Sequence, residues 1–459
     1  MTHTFQFNGE YFAYDSESGA LHQLDEAAFS LVRAYQENNC TRPSNPAFFV
    51  SNLNPTEAEQ LCSEIEALIA AGELFSESVN ISTEQLYPDG ILLKAMCLNI
   101  CHACDLRCRY CFASEGTYGD SKESLMSFAT GKKAIDFLIK SSGNRKNLDI
   151  DFFGGEPLLN WNVVQQLTEY CKQQSHLHGK DIRLTITTNA TNLTEDKIEY
   201  LNHNFKNVVL SLDGRQEVND RMRLNAAGEG SYAKIAPNIK NFVRLRGDLE
   251  YYLRGTFTKH NLDFTADAMH LAEFGRNISL EPVLSAPDCD YAIALSDLPE
   301  IENEYEKLAV SLNELEENGS DINFFHFFLD LEGGPCIFKR LKGCGAGLEY
   351  CAVAPSGEIY PCHQLVGEEK YLLGSVQDEN VTLNRSIQDM FKRFLLSDQE
   401  PCSSCWARYH CGGGCAADIL HANNSLNGVN EISCTLLKKR VECALWLAAQ
   451  RKARSCTDS

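Results

Sequence analysis

Apolar residues recur along the first 90 positions in two rhythms. Phe5 and Phe7, then Phe12 and Tyr14, alternate with their neighbours on either side of Asn8-Gly9, which predicts a hairpin on a tight turn. From Asp25 onward Ala28, Phe29, Val32 and Tyr35 fall at helical spacing. A second helix is predicted from Asn54 as N-cap, with Pro55 at the first helical position and Glu57 completing a capping box. It stops at Gly72, and Glu73-Leu74-Phe75 is expected to return to the sheet. Helices over a short sheet predict a winged-helix-like module across residues 1–90.

From 91 to 285 strands and helices alternate, the pattern of a parallel sheet. Strands are predicted at 91–100, 149–153, 182–188, 208–212, 251–258 and 278–283. Helices are expected between them, near 128–140, 160–174, 194–203, 231–246 and 263–274. Six such units fall short of a closed eight-fold barrel, so the α/β expectation is a partial (β/α)6 barrel with an open side. Residues 286–335 read as a connecting segment with an acidic helix over 300–317, and Phe324-Phe325-His326-Phe327-Phe328 is expected to be a packed helix. From 336 to 459 glycine and cysteine replace periodic apolar residues. That segment is expected to have too little apolar surface to fold by burial alone, so that metal contributes to its stability.

At 459 residues, the chain is long enough for two or three domains. Its 41 basic and 63 acidic residues leave a net charge of −22, which disfavours nucleic acid as a partner and makes an extended peptide the better ligand for the first module's sheet edge. No basic, apolar signal opens the sequence, and no run reaches the ~18 apolar residues of a membrane span. A cytoplasmic protein is expected. In that compartment 20 cysteines are metal ligands more readily than disulfides.

Cys104, Cys108 and Cys111 are spaced C-x3-C-x2-C at the end of the first barrel strand. Three thiolates this close suit an iron–sulfur cube held on three irons, with the fourth iron free for an exchangeable ligand against which Tyr110 is expected to stack. A second knot, C-x2-C-x5-C-x3-C, runs from Cys402 to Cys415. Zinc is the competing reading there. Zinc ribbons, however, separate their pairs by ~15–20 residues, and seven cysteines exceed the four that one zinc takes. Cys40, Cys62, Cys171, Cys289, Cys443 and Cys456 read as fillers or surface thiols, and Cys97 and Cys101 as packing residues. His102 is a donor behind the cluster or a core histidine.

The triad with its aromatic before the third cysteine resembles the radical S-adenosylmethionine (SAM) superfamily. The resemblance implies that the methionine amine and carboxylate chelate the open iron and that SAM is cleaved to a 5′-deoxyadenosyl radical. Gly154-Gly155-Glu156-Pro157 after the second strand resembles that superfamily's GGEP motif, which binds the methionine ammonium; two glycines allow close backbone approach and Glu156 supplies charge. Thr187-Thr188-Asn189 resembles the segment over the SAM ribose and substrate. Ser211-Leu212-Asp213-Gly214 resembles a ribose or carboxylate contact, and Arg221 or Arg223 is the expected partner of the SAM carboxylate. For each of these polar strand ends the plain alternative is a cap or turn residue.

Residues 336–459 are similar to the SPASM domain, which implies two auxiliary 4Fe–4S clusters and three clusters in all. Carried over, Cys402, Cys405, Cys411 and Cys434 bind the distal cluster, and Cys344, Cys362 and Cys415 the nearer one. The nearer cluster's fourth ligand is Cys336, Cys351 or a substrate thiolate at an open site. His363 stands where some relatives place an acidic base, and as histidine it is expected to take a proton near neutral pH.

Within that family the chain resembles maturases of SCIFF peptides and related ranthipeptides, on Phe5 to Leu24, Cys104 to Phe112 and Gly343 through Cys443. The likeness implies an N-terminal element that holds the leader of a ribosomally made, cysteine-rich precursor peptide. It further implies Cys-to-side-chain-carbon thioether formation and a low-potential flavodoxin- or ferredoxin-type donor. The rival readings are an α-carbon thioether synthase and an anaerobic sulfatase-type maturase.

Overall fold

The computed structural model describes residues 1–50, 52–78, 81–87, 90–119, 122–329, 331, 337–394 and 400–457. The first module is an antiparallel meander of β1 (Thr2–Phe7), β2 (Glu10–Asp15) and β3 (Leu21–Leu24) followed by α1 (Glu26–Glu37) and α2 (Pro55–Ala70). Asn8 and Gly9 both have positive φ, 49° and 80°, as the two-residue turn between β1 and β2 requires. Asp25 caps α1 by accepting from Ala28 N–H at 2.7 Å, and Asn54 with Glu57 forms the capping box of α2. Each cap is worth about 1 kcal/mol. The sheet's third strand is Leu21–Leu24, not residues 73–75: Leu74 is buried under the helices with Leu31, Val32 and Ile65, while Leu21–Leu24 is held by backbone pairing to β2. The opposite face of the hairpin, Phe5, Phe7, Phe12 and Tyr14, packs against the rest of the chain.

Six parallel strands follow where the alternation places them: β4 (Ala95–His102), β5 (Asn147–Gly154), β6 (Asp181–Thr188), β7 (Asn207–Ser211), β8 (Tyr251–Phe257) and β9 (Asn277–Pro282). Helices α3 (Phe128–Ser141), α4 (Trp161–His178), α5 (Glu195–Asn204), α6 (Tyr232–Arg246) and α7 (Phe264–Ala272) join them. In β5 to β8 alternate residues are buried towards those helices. In β8, for example, Tyr251, Leu253, Gly255 and Phe257 are buried, while Tyr252, Arg254 and Thr256 face inward.

The sheet does not stop at six strands. In the connecting segment α8 (Leu298–Glu317) leads to β10 (Asn323–Phe324), which extends the sheet beside β9. At the other edge β11 (Tyr350–Val353) pairs in parallel with β4, and β12 (Glu358–Tyr360) and β13 (Gly374–Ser375) continue antiparallel. Both later segments therefore build the barrel wall. Among the described residues the path ends at β10 on one side and does not close. The 324–328 run is that edge strand and a 3-10 turn, not a packed helix; Phe324 and Phe327 are buried, and Phe325 and Phe328 point to solvent.

The last segment also buries more than its sequence promised. Its final helix, α9 (Glu431–Thr457), hides Leu436, Val441, Leu445, Trp446 and Leu447, each worth roughly 1.5–3 kcal/mol of transfer free energy. No helix among the described residues is long and apolar enough to cross a membrane.

Candidate active site and thiol clusters

The end of β4 carries the first triad. Leu106–Cys108 forms a short antiparallel pair with Arg223–Asn225, so Arg223 is registered directly opposite Cys108. A turn then brings Cys111 N–H to 3.1 Å from the Cys108 carbonyl. All three thiols are free and half-buried. Burial pushes the Cys108 thiol up to about 11, with Arg223 opposing and Asp213 and Cys111 reinforcing. Cys104 is raised by burial, then by Glu156, Asp105 and Cys108. Thiols this crowded by one another and by carboxylates ionise only beside positive charge, which is what a metal cluster supplies. No three His, Cys, Asp or Glu side chains among the described residues converge on a single-ion site; a cluster gives each thiolate its own iron.

Glycine backbone closes round the triad. A Cβ on Gly154 would stand 2.3 Å from the Cys101 carbonyl oxygen, and one on Gly155 2.1 Å from that of Ala103. A Cβ on Gly116 would meet the Cys104 Cβ at 2.8 Å. Cys101 does more than fill space: its thiol donates to the Glu156 carbonyl at 2.9 Å. Tyr118 hydroxyl donates to the Gly154 carbonyl at 3.3 Å and its ring stacks on His102 at 4.5 Å.

Several expected contacts are differently engaged. Glu156 has both carboxylate oxygens occupied, Oε1 by Leu158 N–H (3.0 Å) and Thr188 hydroxyl (2.8 Å), Oε2 by Asn189 N–H (2.7 Å). Burial raises its carboxyl to about 7. It ties the ends of β5 and β6 together, and Pro157, buried, starts the 3-10 turn after it. Tyr110, expected to stack on the open iron's ligand, donates its hydroxyl to Asp213 Oδ2 at 2.6 Å and accepts from Arg223 Nη1 at 3.1 Å. Asp213 spends its other oxygen on Thr256 N–H, so it is an internal acceptor rather than a free ribose contact. Ser211, at the end of β7, is half-buried with no hydrogen bond from its hydroxyl among the described residues. Of the two arginines, Arg221 is exposed, whereas Arg223 is buried and its Nε has no partner. That orphaned donor suits a carboxylate.

Sequence reasoning missed Asp105. It accepts from Asn189 Nδ2 at 2.8 Å and from Thr191 hydroxyl, while the same Asn189 amide reaches Cys104 Sγ at 3.7 Å. Its place inside the triad was a signal; its partners lie 84 and 86 residues away and left none.

The later thiols gather in two groups. Cys402, Cys434 and Cys405 all raise Cys411, which burial lifts to about 12. Cys415 and Cys344 act on Cys362, again at about 12. The two cysteine loops cross at glycine: a Cβ on Gly343 would lie 2.6 Å from the Gly412 carbonyl oxygen. Cys351 is not in a loop. It is buried in β11, where burial alone acts on it, and the charges on Cys362 come from Cys415 and Cys344 instead. Cys336 lies outside the described residues.

His363 sits against Phe153 and Phe112 (ring centroids 5.1 and 5.7 Å) with Nδ1 3.0 Å from Tyr350 hydroxyl. Burial, helped by Arg254, holds it down to about 4, so it is neutral where the sequence suggested a proton.

Residues 98–262 match the family described as the Radical SAM superfamily. The chain is 25% identical over 372 residues to the radical SAM cyclopropyl synthase TigE of Paramaledivibacter caminithermalis, covering 76% of this chain and 73% of that protein. It is 26% identical over 364 residues to a cysteine-type anaerobic sulfatase-maturating enzyme of Clostridium novyi, covering 74% and 91%. The crystal structure of Streptococcus suis SuiB bound to precursor peptide SuiA superposes with a TM-score of 0.54 at 15% identity, over 94% of this chain and 98% of that one.

Proposed function

We infer, from a chain whose residues 98–262 match the Radical SAM superfamily and which is similar to a radical SAM cyclopropyl synthase and an anaerobic sulfatase-maturating enzyme, that it installs thioether cross-links in a cysteine-rich precursor peptide. The cross-link joins a cysteine sulfur to a side-chain carbon of another residue. The carrying observation is the gathering of ten cysteines into three groups, Cys104/Cys108/Cys111, Cys344/Cys362/Cys415 and Cys402/Cys405/Cys411/Cys434.

Cys104, Cys108 and Cys111 would hold the first 4Fe–4S cluster, Arg223 with its free Nε would face the SAM carboxylate, and the other two groups would hold auxiliary clusters. When bound, cluster and SAM supply one-electron chemistry that breaks an unactivated C–H bond. The chain's own residues prepare for it. Gly154 and Gly155 bring backbone within reach, Glu156 and Asp105 lock the strand ends, and Tyr110 and Asp213 aim Arg223. The middle group's three thiols leave a fourth position for Cys336, which lies outside the described residues, or for a substrate thiolate. The sulfatase-maturating relative favours a second reading, oxidation of a protein side chain without a cross-link.

Anaerobic reconstitution tests the cofactor set. About twelve irons per chain are expected, and about eight with loss of SAM cleavage in Cys108→Ala. About four irons in the unaltered chain would remove both auxiliary clusters. Mass spectrometry of a matured substrate then separates the two readings, since each thioether removes two hydrogens and locks two residues into one fragment.

A further inference from the structure

The barrel interior holds a cation that no contact described above uses. Arg254 lies midway along β8, between Ser211 of β7 and Ser279 of β9, and is exposed although Leu253 and Gly255 on either side are buried. Parallel strands are normally covered on both faces, so an exposed arginine in mid-strand marks a lumen open to solvent. Its register partner Ser279 meets His326 Nε2 at 3.1 Å, just past β10. That strand is one edge of the unclosed sheet, which places Arg254 where something entering the gap would arrive.

The carboxylates around it do not claim it. Glu281 of β9 is already shared by Arg440 at 3.1 Å and His326 at 3.4 Å. Asp151 of β5 feels Arg254, yet its buried Oδ1 has no hydrogen-bond partner. Among the described residues the Arg254 guanidinium makes neither a hydrogen bond nor an ion pair; only its backbone is engaged, accepting from Leu212 N–H at 3.0 Å. A guanidinium has five donors in a planar fork, a shape matched by a carboxylate. Around it the wall is aromatic: Tyr252 on the same inner face meets exposed Phe325 edge-on at 5.5 Å, and Phe153 neighbours exposed Phe112. The chain's net charge of −22 disfavours acids in general; a guanidinium on the inner face selects for one acidic group at one place.

We propose that Arg254 is a specificity residue that receives a carboxylate side chain of the substrate peptide inside the barrel. This rests on the reading above that the substrate is a peptide, and it adds which peptides are accepted.

The probe is a library of octapeptides with cysteine fixed at the fourth position and all others randomised, offered to the reconstituted, SAM-loaded protein and read by mass spectrometry of the retained fraction. Asp and Glu should be enriched at one position by about tenfold, the lower range for a charge-assisted hydrogen bond. Arg254→Gln should lose that enrichment and keep its iron. Arg254→Lys, with charge but no fork, should keep part of it, and Arg244→Gln, an exposed arginine on α6, should change nothing. Equal enrichment of Asp and Asn, no acidic preference, an acidic preference retained in Arg254→Gln, or no retained peptide despite SAM cleavage would each overturn the proposal. Failure of SAM cleavage itself would instead sink the function on which it rests.

Discussion

Glu156 is acceptor to three donors from two strand ends, and all of them are buried with it. Glutamine at this position has one carbonyl where the carboxylate has two acceptor oxygens, so its NH2 must point at another donor. A buried, unsatisfied donor costs about 1–3 kcal/mol. Glu156→Gln is therefore expected to lower the urea midpoint of the reconstituted protein by that equivalent and to weaken SAM retention in equilibrium dialysis. An unchanged midpoint would mean the carboxylate is not the tie described. At this scale the thiols were legible in the sequence because sulfur chemistry and spacing name them. The roles of Glu156, Asp213 and Tyr110 were not. Each is set by which neighbour its oxygen meets, and those neighbours, Asn189, Thr256 and Arg223, come from other strands.

Four of the barrel strands, β5 to β8, were readable because one face is packed under helices and the other is not, so period two survives in the sequence. β4, by contrast, is buried on both faces. β11 was not readable. Tyr350-Cys351-Ala352-Val353 is four residues long between glycine-rich turns, and only its pairing with Cys97 and Leu98 of β4 reveals it as sheet. The consequence reaches the site, since β11 and β12 carry the chain into Cys362 and His363. Ala352 pairs with Cys97 on one side and Tyr360 on the other, so proline there removes a ladder donor from an interior strand. Ala352→Pro should reduce reconstituted iron by about four, through loss of the Cys344/Cys362/Cys415 group, while SAM cleavage at the first triad persists. Full iron in this variant would show that the strand does not position the Cys362 loop.

At the scale of the whole molecule, the N-terminal module and the distal thiols are one assembly. Between Cys405 and Cys411, four of the five residues are held by the first module. Trp406 stacks on His3 (centroids 3.7 Å, planes 3° apart), Arg408 pairs with Glu17 at 2.6 Å, Tyr409 hydroxyl donates to Glu17 at 2.8 Å, and His410 Nε2 meets Tyr14 hydroxyl at 2.7 Å. Glu10 adds a second anchor by accepting from Trp446 Nε1 and Gln450 on α9. The Arg408–Glu17 pair is nearly fully buried on both sides, at 8% and 3% exposure. Removing one partner of such a pair leaves a charge stranded in low dielectric, at a cost of about 3–5 kcal/mol. Glu17→Ala is thus expected to loosen the loop that presents Cys405 and Cys411. Reconstituted iron should fall by up to four per chain, and protease should cleave between the module and β4 sooner than in the unaltered protein. His3→Ala removes only the stacked ring and should show the same pattern more weakly. If both variants keep full iron and the cleavage rate stays the same, the module is merely tethered to the barrel, and whatever it binds is uncoupled from the distal thiols.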